Sequence, residues 1–267
     1  MPSRIIADDA SLSLQCLTLT SSLAETALTA LLFTVGTRTP LLALLSLRRA
    51  RNLGAVLAPY AALAVFAVFV DDPAVTILAF SPSALVGPRI ARLLGAREES
   101  AGALMTATVV ISFPLLLVAA PGARPPVDMS LFAFVVGAAV AGAIPTVRDA
   151  MLPVLDGARY VAVAIALVAA FLASPQIADP RAYLVAAGCL VIGPLSAAAA
   201  ARIFGGDPLA AVVGSGTRDP AVAAGLAVGA GLVGGGTVAL AYAVWLALAT
   251  GVGKLLVGGH TRREAAR

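Results

Sequence analysis

Long apolar runs, cut at intervals by short clusters of Pro, Gly and charge, fill the chain from about residue 12 to 257. Each run approaches the ~20 residues that an α-helix needs to cross a hydrocarbon core of about 30 Å. The punctuation predicts nine of them. They cover about 12–36, 52–70, 74–95, 100–120, 129–147, 159–174, 181–203, 208–233 and 235–257. Asp72-Pro73, Asp179-Pro180 and Asp207-Pro208 are well suited to start helices. The Asp side chain caps the first turn, and a proline placed there gives up no helical bond. The predicted fold class is therefore an all-α polytopic membrane protein, with residues 1–267 forming one transmembrane domain. The first run is long and lacks a small-residue cleavage site, so it is expected to remain as an uncleaved span.

Two of the runs do not read as continuous helices. The third, ILAFSPSALVGPRIARLL, holds Pro82 and Pro88, each lacking a backbone donor, and Gly87, which adds backbone freedom. Ser81 and Ser83 stand where their hydroxyls can bond the carbonyls set free. The eighth, AAVVGSGTRDPAVAAGLA, is broken by Gly214, Gly216 and Pro220, with Thr217, Arg218 and Asp219 at the break. Unwound backbone within a membrane persists only where protein or a water-filled cavity satisfies it.

The two breaks also occupy corresponding places. Pro59 precedes Pro82 by 23 residues, and Pro194 precedes Pro220 by 26. A first repeat over about 12–120 would match a second over about 159–257, with a linking span at 129–147. An offset of five spans makes such repeats inverted. Interrupted helices paired in this way point to the binding site of a solute carrier.

Composition and charge narrow the picture. Hydrophobic residues make up 60% of the chain and charged residues only 12%, with a mean hydropathy of +0.98. A soluble domain would carry about a quarter charged residues. Water is thus not the solvent for most of this surface. The net charge of +4 does not point to nucleic acid, because the arginines lie between apolar runs and form no basic stripe.

Their distribution instead suggests a topology. With the N-terminus outside, fourteen Arg and Lys residues fall on cytoplasmic segments and three (Arg4, Arg124, Arg181) outside. Positive-inside bias then predicts N-out and C-in, and the plasma membrane of a bacterium is the expected location. Segment 41–51, LLALLSLRRAR, is expected to form a short cytoplasmic amphipathic turn.

Glu25, Arg218 and Asp219 are the ionisable residues this segmentation leaves deep in the bilayer. Such groups pair with one another or line a polar path, so they are functional candidates, although a structural ion-pair clamp is the bland alternative. Cys16 and Cys189 are too far apart in sequence to suggest a disulfide framework, and His260 lies in the polar tail. No metal or cofactor is expected. A membrane-embedded enzyme would need paired carboxylates, a Ser-His pair or a ligand cluster, and the sequence offers none of these. A non-transporting membrane partner, or a carrier whose site has decayed, is the second reading.

Three stretches resemble the bile-acid/sodium symporter superfamily. LLFTVGTRTPLLALLSLRRARNLGAVLAPYAALAVF looks like its glycine-ended helix, basic loop and proline-bearing next helix. FSPSALVGPRIARLLGAREESAGALMTATVVISFP resembles its first crossover helix and the helix after it, and GSGTRDPAVAAGLA its second crossover motif. The likeness covers most of residues 23–250. It implies a panel domain beside a core domain in which two broken helices cross, in a nine-span variant.

It also implies where this chain departs. Gly214 stands where sodium-coupled members carry a glutamate, Arg218-Asp219 replaces a Gln-Asn pair, and Gly87-Pro88 replaces Ser-Asn. Of the hydroxyl ligands on the following helix, Thr106 is retained. Sodium coupling is therefore not expected. Arg218 is expected to act as a tethered cation in place of the ion, and with Arg89 to favour a small organic anion. Asp219 or Glu25 would balance Arg218, and either would be the carrier of any coupling proton.

Overall fold

The computed structural model describes residues 3–38, 50–85, 87–174, 178–232 and 234–265. Most of the turn predicted over 41–51 lies outside them, as do Arg48, Arg49 and Arg267. Among the described residues all the regular structure is helical, with no β-strand. The elements are α1 (Ser3–Arg38), α2 (Ala50–Val70), α3 (Pro73–Phe80), α4 (Gly87–Leu93), α5 (Glu98–Ala119) and α6 (Arg124–Ala143). After them come α7 (Pro145–Ala173), α8 (Pro180–Ile203), α9 (Pro208–Ala211), α10 (Pro220–Gly229) and α11 (Gly235–Ala265).

Seven helical stretches are long and apolar enough to cross a membrane. They are Thr18–Arg38, Asn52–Val70, Glu98–Ala119, Pro121–Ala143, Arg148–Ala173, Pro180–Ile203 and Gly235–Leu255. Their outward faces carry large apolar side chains: Phe69 and Val118 are each 84% exposed. The interior, in contrast, holds many alanines together with Ser81, Ser83, Thr108, Ser112, Ser215 and Arg218. An exposed apolar surface around a partly polar centre is the arrangement that lipid demands and water penalises. The chain is an all-α polytopic membrane protein.

The three Asp-Pro starts behave as their chemistry requires. Asp72 accepts from the Ala74 N–H, Asp179 from that of Arg181, and Asp207 from those of Leu209 and Ala210. Helices α3, α8 and α9 each begin at the following proline.

The boundary between the fifth and sixth runs differs from the sequence expectation. A loop was predicted between 147 and 159, yet α7 runs unbroken from Pro145 to Ala173 with Pro153 inside it. Leu155, Arg159, Ala162, Ala166 and Ala169 form one buried stripe at three- and four-residue spacing, and that packing outweighs the bond lost at the proline. Arg159 is consequently a buried helical residue, where a loop position was expected.

Packing sorts the helices into two groups. In one, α1 packs along α6 and α7. Gly36 of α1 lies against the Phe134 backbone of α6, and Gly137 of α6 against the Phe33 backbone, so neither position has room for a Cβ. Small residues let the two backbones approach closely. In the other group, α2 packs along α8, which also contacts α11. Helix α10 touches both groups, through α1 and α7 on one side and α11 on the other.

Candidate functional site

Both stretches singled out from the sequence are interrupted, and the interruptions meet. Helix α3 stops at Phe80, and Ser81 adopts an extended conformation before α4 begins at Gly87. Helix α9 runs into a π-helical turn over Val212–Gly216, after which Thr217 and Asp219 are extended and α10 begins at Pro220. At the meeting point the Asp219 N–H donates to the Pro82 carbonyl (2.9 Å). The Ser83 hydroxyl donates to the Val213 carbonyl (3.2 Å) and lies 3.5 Å from the Thr217 hydroxyl.

Backbone accounting explains why Arg218 and Asp219 sit at this place. Each helix break strands carbonyls that would otherwise bond the amide four residues on, and stranded polar groups inside a membrane are costly. Ser83 gives its N–H to the Thr108 hydroxyl, Asp219 gives its own to Pro82, and Ala221 gives its own to the Asp219 carboxylate. The carbonyls of Ala79, Ser215 and Thr217 thereby lose their usual donors. The Arg218 guanidinium supplies all three: Nε donates to Ala79 (2.9 Å), and Nη1 to Ser215 (2.9 Å) and Thr217 (3.2 Å). One cation thus caps carbonyls from both broken helices.

Asp219 does the opposite service for amides. Its Oδ1 accepts from the Ala221 and Val222 N–H groups, both at 2.9 Å, as the N-cap of α10. Its Oδ2 accepts from the Leu85 N–H (2.8 Å), an amide freed by the other break. Asp219 and Arg218 form no ion pair with each other. The expected balance between them is replaced by a division of labour, each side chain being committed to stranded backbone.

Aromatic residues complete the enclosure. Arg218 is fully buried, its guanidinium carbon 4.2 Å from the centre of the Tyr60 ring. Tyr60 in turn stacks on Phe80 (ring centres 6.4 Å apart) and donates its hydroxyl to the Thr108 carbonyl (3.0 Å). The Tyr242 hydroxyl accepts from the Arg218 N–H (2.8 Å). Nη2 of Arg218 is buried without a partner. A desolvated cation against a ring face is favourable, but the unsatisfied donors of Nη2 are not.

The proline-bearing helices also reach the crossing. Pro59 leaves the Ala55 carbonyl without its helical donor, and the Ser215 hydroxyl supplies one (2.7 Å). Gly216 packs on Pro194, where an added Cβ would stand 2.6 Å from the Pro194 Cα. Gly87 lies against the Val213 carbonyl, so α4 abuts the π-helical turn.

The remaining predicted residues lie apart. Pro88, Arg89 and Thr106 line a cavity of about 380 Å³, together with Leu85, Arg38 and Arg159. Leu85 bridges the two places, since its amide binds Asp219. Glu25 belongs to neither: it is exposed on α1, with its Cγ against Gly229 at the end of α10. Its expected role as a deep partner of Arg218 is not met by its position.

Sequence reasoning passed over Tyr60, Tyr242, Asp156 and the buried placement of Arg159. Only Arg159 left a legible signal, the continuous stripe along α7. No protein-family model matches the chain, and no curated protein matches it.

Proposed function

We propose that the protein is a secondary carrier that moves a small organic anion across a bilayer by alternating access. In this reading the chain passes the membrane nine times, seven by continuous helices and two by the interrupted pairs α3/α4 and α9/α10. The arginine asymmetry orients it with the N-terminus outside and the C-terminus in the cytoplasm of a bacterial cell. The order of proline helix and broken helix favours inverted repeats. Helix α2 meets the first break through Tyr60 on Phe80, and α8 meets the second through Pro194 on Gly216.

The observation that carries the proposal is the crossing: two broken helices held together by a buried arginine that caps carbonyls of both. A continuous helix would need no such residue. Broken backbone inside a membrane is tolerated where protein or a polar cavity satisfies it, and a matched pair of broken helices is a recurring form of a carrier's binding region. A fixed guanidinium keeps its charge at every physiological pH, so the site needs no sodium ion to attract an anion. The resemblance to bile-acid/sodium symporters supports the same class of function.

Uptake into liposomes containing the purified protein tests it. Radiolabelled hexanoate and benzoate are expected to enter above the level of protein-free liposomes, at the same rate whether sodium or potassium is the cation. Entry of neither above the protein-free level, at any imposed pH gradient, would overturn the proposal for small monocarboxylates.

A further inference from the structure

The cavity beside the crossing is built for a charged ligand. Its walls come from α1 (Arg38), α4 (Pro88, Arg89), α5 (Gly102, Met105, Thr106) and α7 (Arg159), with Leu85 at the crossing end. Two polar side chains in it are more than nine-tenths buried: Arg159 is 7% exposed and Thr106 is 3% exposed. Among the described residues, neither makes a hydrogen bond or an ion pair. The Arg159 guanidinium carbon lies 5.4 Å from the centre of the Tyr160 ring and within the field of Asp156, while Arg89 faces the same ring at 5.3 Å. With no acceptor among the described residues, the Arg159 guanidinium opens to the cavity, and a cation held there with little access to water favours an anion beside it.

Asp156 partly meets that demand from the rim. It pairs with Arg38, lies 4.0 Å from Arg89 and acts through its charge on Arg159 without bonding it, so one carboxylate is shared among three arginines. The other acids at the cavity, Glu98 and Glu99, stand at its exposed mouth, and Glu98 faces Arg92 at 4.0 Å. A ligand's carboxylate placed deep would meet Arg159 and Thr106. A second carboxylate reaching the mouth would meet Glu98 and Glu99 and be repelled. Leu85, Pro88 and Met105 offer an apolar wall to the rest of the molecule.

From this geometry we infer that the cavity binds a small monocarboxylic acid with an apolar body. Arg159 and Thr106 hold its carboxylate, Arg89 and Arg38 add charge, and Asp156 is the internal anion that competes with it. The inference rests on the carrier reading for its purpose, but not for its test. The anionic headgroup of a lipid offers similar charge, and the experiment separates the two sources.

The measurement is the unfolding temperature of the full chain in a neutral detergent. It is titrated with hexanoate or benzoate, with sodium chloride at matched ionic strength as control and dihexanoyl phosphatidylglycerol as the lipid arm. Ligand that binds only the folded state raises the unfolding temperature along a saturable curve. The acids are expected to do so, and succinate to do so less. Arg159→Gln is expected to raise the apparent Kd about tenfold or more, the worth of one charge-assisted hydrogen bond. Asp156→Asn is expected to lower it, because the competing carboxylate is gone. Should Arg159→Gln fail to fold, Arg159→Lys and Arg89→Gln report on the same site through weaker binding.

A shift no larger than that with chloride overturns the inference. So does a curve unchanged in the arginine variants, or a response to the lipid alone. Saturable binding with these signatures but no uptake into liposomes would sink the carrier reading and leave the site standing. Uptake without such binding would do the reverse.

Discussion

Arg218→Leu is expected to cost the fold about 4 kcal/mol or more, which makes Arg218 one of the residues least tolerant of apolar substitution. Leucine supplies none of the donors that now reach Ala79, Ser215 and Thr217. Each stranded carbonyl loses a bond to a charged group, worth about 1.5–3 kcal/mol, and water cannot easily replace it in a fully buried place. The shorter side chain also leaves the Tyr60 face without its cation. Removing the unpartnered Nη2 returns part of this cost. Arg218→Lys should fall between the two, since an ammonium keeps the charge but cannot span three carbonyls in a planar fork. The unfolding midpoint in mixed micelles, read by circular dichroism, checks both. A leucine variant as stable as the parent would mean that the two breaks are held by something other than the guanidinium.

The second large effect concerns the amides. Asp219→Ala is expected to lower stability by about 3 kcal/mol, because a lost N-cap costs about 1 and an orphaned buried amide about 1–3 more. Ala221 and Val222 would lose their cap, and Leu85 the hydrogen bond that ties its amide to the second broken helix. Asp219→Asn separates the two contributions. Its single amide oxygen can serve the cap or Leu85 but not both, so about half the loss is expected. The same unfolding experiment reads all three proteins. Equal stability of the alanine variant and the parent would show that the carboxylate's bonds count for nothing.

Much of this architecture could be read before any coordinates, because the signals are local. Proline deletes a donor wherever it stands, and Asp followed by Pro caps a helix whatever surrounds it, so the starts at Pro73, Pro180 and Pro208 and the breaks near Pro82 and Gly216 were visible. The presence of a lone Arg-Asp pair in an apolar run likewise marked the crossing. What was not visible is who pairs with whom. Adjacent opposite charges suggest an ion pair, yet each reaches for stranded backbone in a different direction. That choice depends on the partner helix, about 130 residues away, and no spacing rule encodes it.

Two other residues show the same limit. Glu25 looked buried because it interrupts an apolar run, but the helix around it turns that side chain outward, to the end of α10. Arg159 looked like a loop residue because Pro153, Asp156 and Gly157 precede it. The buried stripe from Leu155 to Ala169 overrides those breakers, which single-residue preferences understate. Tyr60 and Tyr242 left no trace at all. An aromatic residue in an apolar run looks the same whether it faces lipid or shields a cation.

The crossing and the cavity have complementary chemistry. The first is a rigid junction whose cation is almost wholly used in holding backbone. The second leaves Arg159 without a hydrogen-bond acceptor among the described residues, with Leu85 joining the two through Asp219. An anion in the cavity would therefore be felt at the junction through one hydrogen bond and the field of two fixed charges.

The most direct test compares initial rates of hexanoate entry into liposomes holding the parent protein or Arg218→Gln. Equal amounts of folded protein are compared, at a temperature where both give the same circular dichroism. Glutamine keeps two N–H donors for the stranded carbonyls but removes the charge, so loss of fold and loss of function are kept apart. Entry above that of protein-free liposomes should fall at least about tenfold in the variant, the effect of about 1.4 kcal/mol on a rate. An unchanged rate would contradict the idea that a fixed positive charge between the two broken helices is what draws the anion through.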